Sequence, residues 1–189
     1  MEGVALLKRT VDELKRVTDN VKPDQLGNST PCSEWTVRDI LNHMAGGGTM
    51  FAISAEEGSI PDDVIGKLMT EDQLGDDYKG AVHTAGDRVV AAYERPGVMD
   101  KTVTLPFGEM PAGVALEIAV FDVVTHCCDV ATATGQSMDD DELLETALAK
   151  GQGFLQPAWR AAGVFDDEKT VADGASAFDR LMAFAGRKV

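Results

Sequence analysis

The stretch Phe121–Gln136, FDVVTHCCDVATATGQ, decides how this sequence is read. Asp122, His126 and Asp129 stand in a run that is otherwise mostly small and apolar, and from Pro111 to Gly135 only Glu117, Asp122 and Asp129 carry a formal charge. A helix that is apolar on nearly every side is buried on nearly every side. Proline suits the first turn of such a helix and glycine its end, so the pattern predicts a buried helix over 111–135. With Asp122 at zero on a helical wheel, Thr125 falls at about −60°, His126 at about +40° and Asp129 at about −20°. These four polar residues share one narrow stripe, and Ala115, Ala119 and Ala133 leave room beside it. Glu117 lies off the stripe and reads as a rim residue. Burying polar and charged groups is costly unless they are paired, so the stripe must meet a partner.

Working outward, the helical period dominates. Val4, Leu7, Val11, Leu14 and Val21 give a first amphipathic helix, and KPDQLGNSTPCSEW then reads as a loop. A second helix opens at Thr36, with Asp39 three residues on in capping-box spacing. Its stripe is Val37, Ile40, Leu41 and Met44, followed by Gly46, Gly47 and Gly48, which either end it or admit a neighbouring backbone. Residues 58–75 read as irregular and polar. A third helix covers Asp76 to Arg95. The segment near 101–106 reads as one short strand or an extended crossover. A fifth helical segment covers 139–162, interrupted by Gly151, Gly153 and Pro157, and a short helix near 174–185 ends at Gly186. The fold class expected is all-α, a single domain over 1–189, with four principal helices and one long crossover as in a bundle.

The 189 residues include 17 Lys+Arg and 32 Asp+Glu, a formal charge of −15. So acidic a surface repels phosphate backbones and anionic membranes, which argues against nucleic-acid and lipid partners. No run of apolar residues is long enough to span a bilayer and no leader pattern opens the chain, so the cytoplasm is the expected compartment. Cys32, Cys127 and Cys128 form no disulfide framework and no zinc-ribbon spacing, and read as small, partly buried side chains. Eight methionines and several apolar positions are compatible with a homodimer.

Asp122 and His126 are one turn apart on the same face, a spacing that lets a carboxylate and an imidazole converge on one cation. A third ligand must then come from His43, at the edge of the buried face of the second helix, or from His83, which reads as solvent-facing beside Asp87. His43 is the better placed. The competing reading is a hydrogen-bonded buried pair in which the acid fixes the imidazole tautomer. Trp35 reads as a core anchor of the entering loop, and Arg38 as the partner of a surface acid.

Two stretches, TPCSEWTVRDILNHMAGG at 30–47 and ALEIAVFDVVTHCCDVATATGQ at 115–136, resemble the mycothiol-dependent maleylpyruvate isomerase N-terminal family. That family belongs to the DinB-like metal-binding helix bundles common in actinobacteria. Thr30, Pro31, Cys32, Trp35, Val37, Arg38 and His43 match its first motif; Asp122, His126, Asp129 and Ala133 through Gln136 match its second. The ending FDRLMAFAGRKV resembles that of the single-domain members. The resemblance implies a divalent metal, usually zinc, held by His43, Asp122 and His126, with Thr125 and Asp129 beside it as candidate catalytic residues. It departs from the isomerases proper in having Asp122 where they have Glu and Cys128 where relatives often have Trp. These differences point away from maleylpyruvate itself.

Three protein ligands leave a position open for water or substrate, as in catalytic zinc sites; nickel or iron suits the same donors. The function this implies is activation of a low-molecular-weight thiol, mycothiol or bacillithiol, for transfer to an electrophile or for isomerisation, with Asp129 taking a proton or orienting the thiol. The alternative is a non-catalytic metal-binding bundle acting as a sensor or partner-binding protein, with a closed site completed by a residue such as Cys128.

Overall fold

A computed structural model describes residues 2–161 and 165–188. Among them the elements run α1 (Gly3–Asp19), α2 (Val37–Glu57), α3 (Asp62–Thr70), α4 (Tyr78–Tyr93), β1 (Thr102–Leu105), β2 (Gly108–Pro111), α5 (Ala112–Thr134), α6 (Asp141–Phe154), α7 (Pro157–Ala161) and α8 (Ala177–Phe184). The fold is all-α apart from one hairpin. Helices α1 and α2 each pack on both α4 and α5, so the bundle's ring order is α1, α4, α2, α5. The connections at 20–36 and 94–111 both cross that ring diagonally. The long crossover expected from the sequence is one of these two.

Helix α5 is the axis of the structure. Pro111 precedes it and Gly135 ends it in a left-handed conformation, φ 73°. Its buried residues lie all round the helix, because α1 and α2 cover it on one side and α6 and α8 on the other. Helix α2 starts with the expected capping box: the Asp39 amide donates to Thr36 and the Asp39 carboxylate accepts from the Thr36 amide. It then runs straight through Gly46, Gly47 and Gly48. A methyl group on Gly46 would fall 2.5 Å from the carbonyl oxygen of Leu68 in α3, and one on Gly48 would fall 3.3 Å from Cβ of Ala85 in α4. The glycines admit neighbouring backbones.

Three expectations are corrected or refined. Residues 58–75 are not wholly irregular, since α3 forms within them. Asp62 and Asp63 suit its N-terminal dipole, and Val64 and Ile65 pack against the core. The segment near 101–106 is β1 of an antiparallel hairpin with β2, in register from Thr102 opposite Pro111 to Leu105 opposite Gly108. The expected short strand is therefore present; what differs is that it is paired, in a hairpin that sits within the connection crossing the ring. The fifth segment divides at Pro157 into α6 and α7, while Gly151 stays within α6, where a larger side chain would collide with the Phe121 ring. Ala162, the last residue of that expected segment, lies outside the described residues.

The contact between Gly46 and α3 gives a direct test. Gly46→Ala adds helix propensity but collides with backbone, and overpacking of this kind costs about 1–3 kcal/mol. Gly47→Ala meets nothing within 4 Å, so it should gain up to about 1 kcal/mol from helix propensity alone. Urea unfolding of the two variants should therefore move in opposite directions.

Candidate functional site

The site is assembled from α2, α5, the loop before α2 and the chain beyond α8. His43 and Asp122 face each other across the α2–α5 contact, with His43 Nε2 3.2 Å from Asp122 Oδ2. His126, one turn along α5, brings its Nε2 to 3.6 Å from Asp122 Oδ1. One donor atom from each of the three residues lies within 4.8 Å of the others. The expected trio therefore converges, and His83 does not join it. His83 is half-exposed and pairs with Asp19 at 3.0 Å, whereas Asp87 is taken by Lys15.

Behind His126 lies Asp129, with no exposed surface. Nδ1 of His126 is 3.0 Å from Asp129 Oδ2. A carboxylate there accepts from Nδ1–H, which leaves Nε2 as the nitrogen turned toward Asp122 and His43, the way histidine ligands are oriented in metal sites. Both oxygens of Asp129 also accept from the Arg187 guanidinium: Nε to Oδ1 at 3.2 Å and Nη2 to Oδ2 at 2.9 Å. Arg187 Nη1 donates to the Ala185 carbonyl. Asp129 is thus fully engaged and stands behind a histidine, away from the open side of the site. Thr125 is also buried; its hydroxyl has no partner among the described residues and does not line the cavity.

Arg187 is the residue of this cluster that helix-pattern reasoning does not find. Gly186, at φ 89°, lets the chain reverse after α8; its amide donates to Ala183 and that of Arg187 to Met182. This is a Schellman turn, whose last residue packs back against the helix and is ordinarily apolar. An arginine at that position after a glycine was the available signal. Trp35 was also read too blandly. Its ring stacks on His126 at 5.6 Å with an interplanar angle of 13° and lies 5.0 Å from His43. The loop that carries it is tied by Thr30, which donates to the Cys32 and Trp35 carbonyls, and by Asn28, which donates to the Ala133 carbonyl at the end of α5. Arg38 pairs with Asp72, as the sequence suggests.

Electrostatics agree with the geometry. Burial pushes the Asp122 carboxyl up, but His43 and His126 outweigh it and hold it at about 2. Burial works against a charged His43, yet Asp122 raises its pKa above the ordinary value. Cys32, His126 and Asp129 form a second cluster of donor atoms. It is the poorer site, because Asp129 is already shared between His126 and Arg187 and burial pushes the Cys32 thiol up to about 11. Cys127 and Cys128 are fully buried, and burial raises both thiols.

The trio opens into a cavity of about 700 Å³, lined near it by Cys32, Trp35 and Arg187 and farther off by aromatic side chains. The sequence profile of the mycothiol maleylpyruvate isomerase N-terminal domain matches residues 7–131. The chain belongs to that family. Two uncharacterized proteins of Mycobacterium tuberculosis, from strains CDC 1551 / Oshkosh and H37Rv, are each 36% identical to it over 196 aligned residues, covering the whole of both chains. Crystal structures of mycothiol-dependent maleylpyruvate isomerase and of a histidine-to-alanine mutant superpose with TM-scores of 0.63 and 0.64 at 16% and 15% identity. Each covers 85% of this chain and 70% of the isomerase. At that identity the likeness shows that the family fold is shared.

Arg187→Met should expose the weight carried by the Asp129 contact. Removing one partner of a buried ion pair typically costs about 3–5 kcal/mol. Chemical denaturation at neutral pH should register a loss of that size, and adding Asp129→Asn in the same chain should restore part of it. A loss below about 1 kcal/mol, the value of an exposed pair, would contradict the buried geometry.

Proposed function

We propose that the protein holds one divalent metal ion, most simply zinc, on His43, Asp122 and His126, and uses it to activate a low-molecular-weight thiol such as mycothiol. The observation that carries this reading is the contact of His126 Nδ1 with the buried Asp129 carboxylate, 3.0 Å from Oδ2. Asp129 fixes Nδ1 as the donor, so Nε2 joins an imidazole and a carboxylate from two other turns of backbone around a common point. A divalent ion bound there supplies a Lewis acid that favours the thiolate form of a thiol at neutral pH.

The chain's own residues have separate parts in this chemistry. Arg187 and Asp129 are positioning residues: they hold His126 and keep its Nδ1 proton in place, and Asp129 has no route to the open side of the cavity. His43 and His126, spent as ligands, have no lone pair left for a proton, so the proton released by an incoming thiol passes to water in the open cavity. In transfer, the sulfur–hydrogen bond breaks and a sulfur–carbon bond forms to an unsaturated carbonyl compound. The proton ends on the carbon next to the carbonyl. Isomerisation reverses that addition after rotation about the new single bond, and the thiol is released unchanged. The name of the structural relatives, mycothiol-dependent maleylpyruvate isomerase, supports this class of reaction.

A closed, non-catalytic centre is the less supported reading. It needs a fourth protein ligand, and Cys128 is buried outside the cluster while the trio faces a large cavity. Mass spectrometry of protein purified without a histidine tag is expected to find one divalent ion per chain, lost in His126→Ala. Because His43 must shed its proton to ligate, zinc affinity should fall about tenfold for each pH unit below the raised pKa of His43. Protein that takes up neither zinc nor nickel at pH 8 would end this reading.

A further inference from the structure

The far half of the cavity is built differently from the end that carries the histidines. Phe51 lies 6.5 Å from Phe107, Phe107 5.5 Å from Trp159, Trp159 5.8 Å from Phe154, and Phe154 5.6 Å from Phe121. These rings come from α2, the hairpin turn, α7, α6 and α5, so five separate elements contribute one continuous aromatic wall. Phe107, at the hairpin tip, lines the cavity and remains 42% exposed. The charged lining residues are Glu34, Asp39, Asp122 and Arg187. Three of the four are acids, and the guanidinium of Arg187 is consumed by Asp129 and the Ala185 carbonyl. Apart from the two histidines of the trio, no unpaired basic side chain lines the cavity among the described residues.

We propose that this aromatic half binds the electrophile, and that the electrophile is an uncharged, flat, aromatic or similarly apolar carbonyl compound, not a dicarboxylate. The assignment rests on the thiol-activating reading of the histidine end. The wall itself stands independently of it. An apolar ring entering the cavity is covered by aromatic faces and edges, each such contact adding to simple burial. A dianion entering the same space finds no lysine, and no arginine other than the already paired Arg187, among the described lining residues, in a chain of net charge −15. The volume, about 700 Å³, is in the range of sites that enclose a drug-sized molecule, and accommodates a ring system beside the thiol end.

Calorimetry with methyl 2-naphthyl ketone, an uncharged flat carbonyl probe, and with 2,6-naphthalenedicarboxylate tests this directly. Both are titrated into metal-free and zinc-treated full-length protein. In the metal-free form the ketone should bind at least tenfold more tightly than the dicarboxylate. Trp159→Ala and, separately, Phe107→Ala should each weaken the ketone by about tenfold, with unchanged melting temperature for the exposed Phe107 variant, while His83→Ala, outside the cavity, should leave it unaffected. Equal or tighter binding of the dicarboxylate to the metal-free form, or ketone binding indifferent to both ring deletions, would overturn the proposal. Because the metal-free arm depends only on the wall, failure of the metal reading would leave ketone binding intact.

Discussion

The Asp129 carboxylate, wholly out of water, lies between the Arg187 guanidinium and the imidazole of His126, and the geometry of the site follows from that contact. An unpaired carboxylate at this depth would be strongly disfavoured. Arg187 donates to both of its oxygens, and the same carboxylate contacts Nδ1 of His126, so one buried group ties the guanidinium to the imidazole. The pairing also explains the chain's last described turn. The reversal at Gly186 carries Arg187 from α8 back to α5, so the C-terminal segment closes the structure around the site instead of trailing from it.

The burial of α5 sets the conditions under which such a stripe can exist. Only a helix covered on all sides gives Asp129 and His126 the low-dielectric surroundings in which their hydrogen bond is strong and specific. The covering helices also deliver the other parts. Helix α2 brings His43, and its glycines let α3 and α4 approach closely enough to fix it. The loop before α2, bonded to the end of α5 through Asn28, lays Trp35 over both histidines. Donor atoms held on packed helices keep their geometry better than donors on free loops, which suits a site meant to hold one arrangement.

Much of this was legible in the sequence. Apolar periodicity located the four bundle helices, and the wheel placed Asp122, His126 and Asp129 on one stripe, because both depend on local helix geometry alone. His43 emerged as the third member from its position at the edge of a buried face. What escaped depends on contacts between distant segments. The value of Arg187 arises only when α8 packs against α6 and α5, and Trp35 covers the histidines only once its loop docks on α5. Helix α3 hid in a polar stretch because its short apolar face is completed by the groove of α2. The aromatic wall draws single rings from five elements, and no one of them carries a pattern.

The claim on which everything else rests is that Asp129 directs Nε2 of His126 into the three-residue cluster. Long-range proton–nitrogen correlation NMR of the histidine side chains, recorded during a zinc titration at neutral pH, observes that directly. The structure predicts that His126 keeps a slowly exchanging proton on Nδ1 while its Nε2 resonance, together with one nitrogen of His43, shifts as zinc is added. A proton retained on Nε2 of His126, or zinc shifts confined to His83, would contradict it.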